Sequence, residues 1–455
     1  MLEKGNSYIL KTVSNFEVFI NQLVNFVWGI PLVICVVLTA SYLLLATKLQ
    51  PYRYLKHAVG LLFQKKNKNG IGTNSHWEAL ATALGGTIGM GNIAGVALAL
   101  QVGGSGAIFW MWITAAIGMI LKFFSCTLSC IYRKNLNNTG YAGGPMLTIA
   151  LGLGENFRWL SYAFALFGMI GCLGIFQSNQ LSAIINSNWE VPPVFPSLII
   201  IGLILMVLKG GVKRLGEISS FLLPIMGGSY LLICIAIIFM NFDKLDEIIS
   251  SIFLGAFNTK SAIGGVIGLS IRETIITGVK RAIFSNEAGV GTETLAHSTA
   301  KTDQPVKEGL VAMIGPIIDT HIICTATAII ILCSGLLGNT ESMGILLVAE
   351  AIEQNFPGIG ASLLTIIFCL FALSTLITYA YYSTSCAKYF FGHKLGSYYI
   401  YFYLFLVIIA PQWSPMTAIG IIDIAFALMT IPNLISVVLL APIVIRQMEI
   451  YFKNL

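Results

Sequence analysis

Charge is scarce in this chain. Asp, Glu, Lys and Arg make up 10% of its 455 residues, against about 25% in a soluble domain, while 56% are hydrophobic and the mean hydropathy is +0.83. That shortage excludes an ordinary water-soluble globule. The apolar residues run continuously, without the alternation of a lipid-facing strand, which excludes a β-barrel and leaves a bundle of transmembrane helices. Neither HExxH nor GxSxG occurs on the apolar runs, and the connections are too short for a soluble catalytic domain, so an enzyme finds no support. No A-x-A-like site follows the first run, so it reads as a span and not a cleavable signal. Cysteines number nine, an odd count, and only Cys126 and Cys130 stand one helical turn apart; they read as small buried hydrophobes, not as a disulfide or metal framework. Nothing points to a nucleotide, a metal cofactor or a nucleic-acid partner.

What is present is a series of apolar runs. They suggest eleven spans, near residues 23–46, 78–102, 106–132, 157–185, 194–209, 217–240, 265–298, 309–336, 359–388, 397–411 and 417–446. The formal net charge of +6 follows from topology. Lys48, Arg53, Lys56, Lys65, Lys66 and Lys68 crowd the connection after the first run, which the positive-inside rule places in the cytoplasm. Alternation from there sets the N-terminus outside and the C-terminus inside, with Lys4, Lys11, Lys244 and Lys260 as the few outer basic residues. Lys122, Arg272, Lys280 and Arg281 remain within spans, three of them in the seventh, whose ends are therefore the least defined.

Glycine collects where a helix can least tolerate it. The stretch GGTIGMGNIAGV, residues 85–96, holds Gly85, Gly86, Gly89, Gly91 and Gly95 inside an apolar run, although each glycine weakens a helix by about 1 kcal/mol relative to alanine. A second segment, Ser285-Asn286-Glu287-Ala288-Gly289-Val290, repeats the N-x-A-G-V of Asn92 to Val96 at a distance of 194 residues. Each opens a block of five spans, and an odd number sends the second block into the membrane from the opposite side. That is the pattern of an inverted repeat with interrupted helices at corresponding positions. An unwound stretch at membrane depth is tolerated only where it lines a cavity. There free amides favour a carboxylate and free carbonyls favour a cation or an ammonium group, which suits a small zwitterion together with sodium. Close helix packing through Gly91 and Gly95 is the competing reading for one such motif alone.

The strings GTIGMGNIAGVALAL, GGSGAIFWMW, YAGGPM, FSNEAGVGT, AHSTAKTDQPVKEGLVAMIGPIIDT and FALSTLITYAYYS resemble the alanine or glycine:cation symporter family, in order, over residues 76–446. The resemblance implies an all-α polytopic membrane protein of the bacterial leucine transporter fold, with about 11 transmembrane helices: one N-terminal helix plus a 5+5 inverted-repeat core with two discontinuous helices. The expected divisions are residues 1–75 (outer segment, extra helix and basic loop), 76–242 and 262–447 (the two repeats) and 448–455 (cytoplasmic tail). It also implies sodium-coupled uptake of alanine or glycine into a prokaryote across its plasma membrane, by a monomer, with glutamine as the alternative cargo. Carried over residue by residue, the carbonyls of Gly85, Ile88 and Ala372 and the hydroxyls of Ser374 and Thr375 would hold sodium. Thr87, Gly89, Gly91, Asn92, Gln177, Asn179, Ser285, Asn286 and Tyr379 would face the substrate.

This sequence departs from the family pattern in places. Thr378 and Tyr379 stand where a glycine and a tryptophan are usual; Lys122 is followed by Phe123, Phe124 and Ser125 in place of an acidic residue; and His321 follows Asp319-Thr320. Glu287 reads either as a partner of Lys122 at an inner gate or as an acceptor for free amides, and Asp319 and Asp423 read as helix–helix contacts. Arg281 is expected at a vestibule or snorkelling, and His57 and His76 at loops or an interface. The two readings from other classes are a channel, whose pore needs rings of groups from repeated subunits, and an enzyme.

Overall fold

The computed structural model describes residues 16–64, 70–89, 91–135, 141–257 and 270–455. Lys4, Lys11, Lys65, Lys66, Lys68, Lys260 and the expected start of the seventh span at 265 lie outside them. Regular structure among the described residues is helical, apart from the two-residue strand pair Lys134–Asn135 with Tyr141–Ala142 and two isolated β-bridges.

Among the described residues, eight helices are long and apolar enough to cross a membrane. They are α1 (Phe16–Thr47), α4 (Gly106–Ile131), the stretch Glu155–Trp189, α8 (Gly211–Met240), α12 (Pro305–Ser334), α14 (Gly360–Phe391), the stretch His393–Gln412 and α16 (Pro415–Lys453). Over the other three expected spans the helices are shorter and fall below that length. The second is α2 (His76–Thr87) and α3 (Ala94–Gly103), the fifth is the 15-residue α7 (Val194–Leu208), and the seventh is α10 (Ile271–Asn286) and α11 (Thr294–His297). The fourth carries an interruption that the sequence reading lacks. It splits into α5 (Arg158–Gly171) and α6 (Ile175–Trp189) around Gly174, whose φ of +67° and position 2.5 Å (for a Cβ built there) from the Tyr403 hydroxyl admit only glycine.

Both broken helices start in the same way. Ser75 accepts from the Glu78 amide at 3.2 Å while Glu78 accepts from the Ser75 amide at 2.7 Å, and Ser270 and Glu273 exchange the same pair at 3.2 and 3.0 Å. This S-x-x-E capping box satisfies amides that a helix start leaves open, so each broken helix nucleates independently of its other half.

Burial sorts the helices into layers. Two-thirds of the apolar window of α4 (67%) and 61% of those of α12 and α14 lie inside the protein, against 22% for α1, which therefore presents its side chains to lipid. Phe26 on α1 is 82% exposed and Phe239 on α8 is 71% exposed. In the centre, α14 packs on α2, α6 and α8, and α4 packs on α10 and α12. All nine cysteines are unpaired and seven are buried, as expected; Cys35 is instead exposed on α1 and Cys369 half-buried on α14.

At one end the two broken helices are tied together. The backbone leading into α2 pairs with the backbone leaving α11 through Thr73 N to Thr299 O at 2.7 Å, Lys301 N to Asn74 O at 2.6 Å and a reciprocal Ile71–Thr302 pair. Arg133 donates to the carbonyls of Ser298, Ala300 and Thr302. His76, expected at a loop or interface, is buried at the foot of α2, and it and His297 share the buried carboxylate of Glu308.

Candidate functional site

The last helical bond of α2 runs from Ile88 N to Leu84 O at 2.6 Å. The next amide, Gly89 N, which a continuing helix would spend on Gly85 O, goes to Asn92 Oδ1 at 2.9 Å. The Gly85 carbonyl loses its helical partner and Ile88 turns extended, with ψ of 104°. Asn92 thus ends the helix by taking its donor.

Opposite this break stands α14. A Cβ built on Gly85 would lie 2.6 Å from Ser374 Oγ and 3.7 Å from Thr378 Oγ1, and one on Gly89 would lie 2.5 Å from Thr375 Oγ1 and 3.8 Å from Phe371 O. Only glycine allows this approach. The hydroxyls of Ser374, Thr375 and Thr378 are buried and have no hydrogen-bond partner among the described residues. Elsewhere on α14 the hydroxyls of Thr365, Ser383 and Ser385 bond back to their own turn at 2.7 to 2.8 Å, while those of Tyr382 and Thr384 are bare as well among the described residues. Leaving a buried hydroxyl unmatched costs about 1–3 kcal/mol, so Ser374 and Thr375 together hold a few kcal/mol that a bound cation would recover. The Ala372 carbonyl expected from the resemblance lies on this same turn, and the Phe371 carbonyl, one turn before Thr375, comes within 3.8 Å of a Cβ built on Gly89. Helical spacing carried that signal.

The second break follows α10. Glu287 adopts φ of +56° with its amide on Ile283 O at 2.8 Å, and Gly289 and Gly291 follow at φ of +86° and +94°. Asn286 Oδ1 takes the Ala288 amide at 2.9 Å, as Asn92 takes Gly89 in the first break. The two breaks meet closely, with a Cβ on Gly91 reaching 3.1 Å from Ser285 Cα.

Asp319 joins them. Its Oδ1 accepts from Ser285 Oγ at 2.6 Å and Thr320 Oγ1 at 2.8 Å, its backbone carbonyl accepts from Asn92 Nδ2 at 3.1 Å, and Thr320 takes Asn286 Nδ2 at 3.1 Å. Asp319 Oδ2 is buried and bare among the described residues. Both residues lie on the π-helical turn Ile317–Cys324 within α12, and such turns recur at functional sites. Read in sequence as a helix contact, Asp319 is the hub between the breaks. Only its place beside Thr320 in an apolar helix marked it.

The structure therefore brings together Gly85, Ile88, Gly89, Gly91, Asn92, Ser285, Asn286, Ser374 and Thr375. Thr87 ends α2 beside them, its hydroxyl 3.5 Å from Leu84 O, and Gln177 on α6 is buried with a bare Oε1 among the described residues. Two expected residues are committed elsewhere. Asn179 donates to Ala410 O at 3.1 Å and Trp413 O at 2.7 Å, because α6 turns that face toward the end of the tenth span. The Tyr379 hydroxyl donates to Glu287 Oε1 at 2.5 Å. Glu287 in turn takes hydroxyls from Tyr379 and Thr292, and among the described residues its carboxylate has no hydrogen bond from Lys122 or a backbone amide. Arg281 is buried against Asp423 and lies 5.1 Å from the centre of the Phe284 ring, so it neither snorkels nor sits in open water.

The family model for the sodium:alanine symporter family matches residues 13–455. The sodium/alanine symporter AgcS of Methanococcus maripaludis is 34% identical over 450 residues, covering 96% of this chain and 97% of that protein. The probable sodium/glutamine symporter GlnT of Bacillus subtilis is 31% identical over 446 residues, covering 94% and 89%. The crystal structure of MhsT in complex with L-phenylalanine superposes with a TM-score of 0.58 at 13% identity over 81% of this chain and 89% of that one, a likeness of fold. The fold is that of leucine-transporter-like carriers, and the protein is a membrane transporter, not an enzyme. The chain belongs to the sodium:alanine symporter family.

Proposed function

We propose that this protein carries a small neutral amino acid, alanine or glycine, into the cell together with sodium by alternating access. The supporting observation is the pair of buried, bare hydroxyls of Ser374 and Thr375 set against the glycines of the first break. Sodium, a hard cation that favours neutral oxygens, would be held by those hydroxyls and by carbonyls of Gly85, Ile88 and the Phe371–Ala372 turn. Substrate would lie between the breaks, near Thr87, Gly89, Gly91, Asn92, Gln177, Ser285 and Asn286, with its carboxylate on unwound amides. Sodium bridging α2 to α14 stabilises the substrate-ready state, and the two ligands then raise each other's affinity reciprocally. The tied end of α2 and α11 faces the cytoplasm in this reading, with the N-terminus outside.

The test is uptake of radiolabelled alanine, glycine and glutamine into liposomes holding the purified protein, with and without an inward sodium gradient. Saturable, gradient-dependent accumulation of alanine or glycine is the expected result. Preference for glutamine, the cargo named for GlnT, moves the substrate while keeping the mechanism; flux without sodium coupling rejects it.

A further inference from the structure

The contact between Tyr379 and Glu287 links two places that the symport reading assigns to different ligands. Tyr379 lies four residues after Thr375, hence one helical turn along the same face of α14. A Cβ built on Gly86 would stand 3.6 Å from its ring, so the ring packs on the last turn of α2. Its hydroxyl crosses to the second break and donates to Glu287 Oε1 at 2.5 Å. The other oxygen, Oε2, accepts from the Thr292 hydroxyl at the far side of the same break. Glu287 thus spans the break from one end to the other and fastens it to the helix that carries Ser374 and Thr375.

The backbone at Glu287 adds weight to this link. It occupies the left-handed region at φ of +56°, which side chains other than glycine, Asn and Asp seldom adopt, while Gly289 and Gly291 nearby take up the same kind of conformation freely. A strained residue persists where its surroundings over-determine it. Here the surroundings are the two hydroxyl donors, and Glu287 itself is fully buried. The residues immediately before it, Ser285 and Asn286, are those that meet Asp319, Thr320 and the first break.

We infer that Glu287 and Tyr379 form the strut that conveys sodium binding on α14 to the substrate face of the second break. Glu287 is a positioning residue, acting through Ser285 and Asn286, and the Tyr379 hydroxyl serves Glu287 and not the cargo. The inference rests on the symport reading above.

The test is equilibrium binding of radiolabelled alanine to the purified full-length protein, with sodium and with choline in its place, alongside thermal unfolding of each variant. In wild type, sodium should raise alanine affinity by a factor within the roughly 5- to 150-fold range of coupled sites. Tyr379→Phe, which keeps the ring on Gly86 and removes only the hydroxyl, should bring that factor to within about threefold of one, with the melting temperature changed by only a few degrees. Glu287→Gln, whose amide oxygen still accepts the phenol, should retain most of the factor, and Glu287→Ala should lose it. A Tyr379→Phe protein that melts lower but keeps the full sodium effect overturns the inference and makes the contact structural. Absence of any sodium effect in wild type overturns the symport reading and the strut with it, and the two failures are told apart by which protein shows them.

Discussion

The two breaks share a sequence motif and end in opposite conditions. In the first, Asn92 closes on Gly89 and the facing hydroxyls of Ser374 and Thr375 are left bare; in the second, Ser285, Asn286, Glu287 and Thr292 are all bonded, to Asp319, Thr320, Tyr379 and each other. The first break faces bare hydroxyls; in the second these four side chains are bonded, and what stays bare among the described residues is the buried Glu293 carboxylate and Asp319 Oδ2. The difference teaches that an unwound helix is not by itself a binding site. What matters is whether the protein supplies the missing partners or leaves them for a ligand.

The largest effect should follow from filling the first break. Gly89→Leu places a side chain where Thr375 Oγ1 already stands at 2.5 Å from a Cβ, and sodium-driven alanine uptake is expected to fall about 100-fold or more. Melting temperature, followed in parallel, should stay within a few degrees of wild type, since α2 is capped separately. Wild-type uptake would remove the break from the mechanism.

Deleting the bare hydroxyls comes next. Ser374→Ala with Thr375→Ala should weaken the apparent sodium affinity about 10- to 100-fold, at a few kcal/mol for two lost ligands. In sodium-free buffer the same variant should be as stable as wild type or more so by about 1–3 kcal/mol, because two unmatched buried hydroxyls are gone. Denaturation with and without sodium reads both signs.

The same chemical edit in the tied break should act the other way. Ser285→Ala strands Asp319 Oδ1 with one donor fewer and is expected to cost about 1–2 kcal/mol of stability with or without sodium. Equal behaviour of the two serine edits in sodium-free buffer would erase the contrast between the breaks. The smallest effect on transport belongs to Asn179→Ala: the alanine KM should stay within about twofold while stability falls by about 1 kcal/mol, measured by uptake and thermal unfolding respectively.

Much of this was readable in the residues. The glycines at 85, 89 and 91 announced the first break, and the repeated N-x-A-G-V announced the second. The serine and threonine at 374 and 375 were identifiable through the family pattern. The matching S-x-x-E boxes at 75 and 270 are a third sign of the repeat. Asn179 and Tyr379 show what the residues alone leave out: a polar residue on a buried helix has a definite face, and the string of letters does not say what that face meets. Asn179 meets the carbonyls near Ala410, and Tyr379 meets a carboxylate 92 positions earlier in the chain.

By itself the sequence determined that the chain spans a membrane, where two helices stop, and which residue types line the stops. Those are consequences of local composition, since apolar runs must enter lipid and glycine cannot hold a helix against solvating alternatives. Only the tertiary structure decided which polar groups are matched and which are bare. That is settled by contacts between segments far apart in the chain, such as α14 against α2 and the π-helical turn of α12 against both breaks, because a hydrogen bond depends on distance and direction and not on order along the chain.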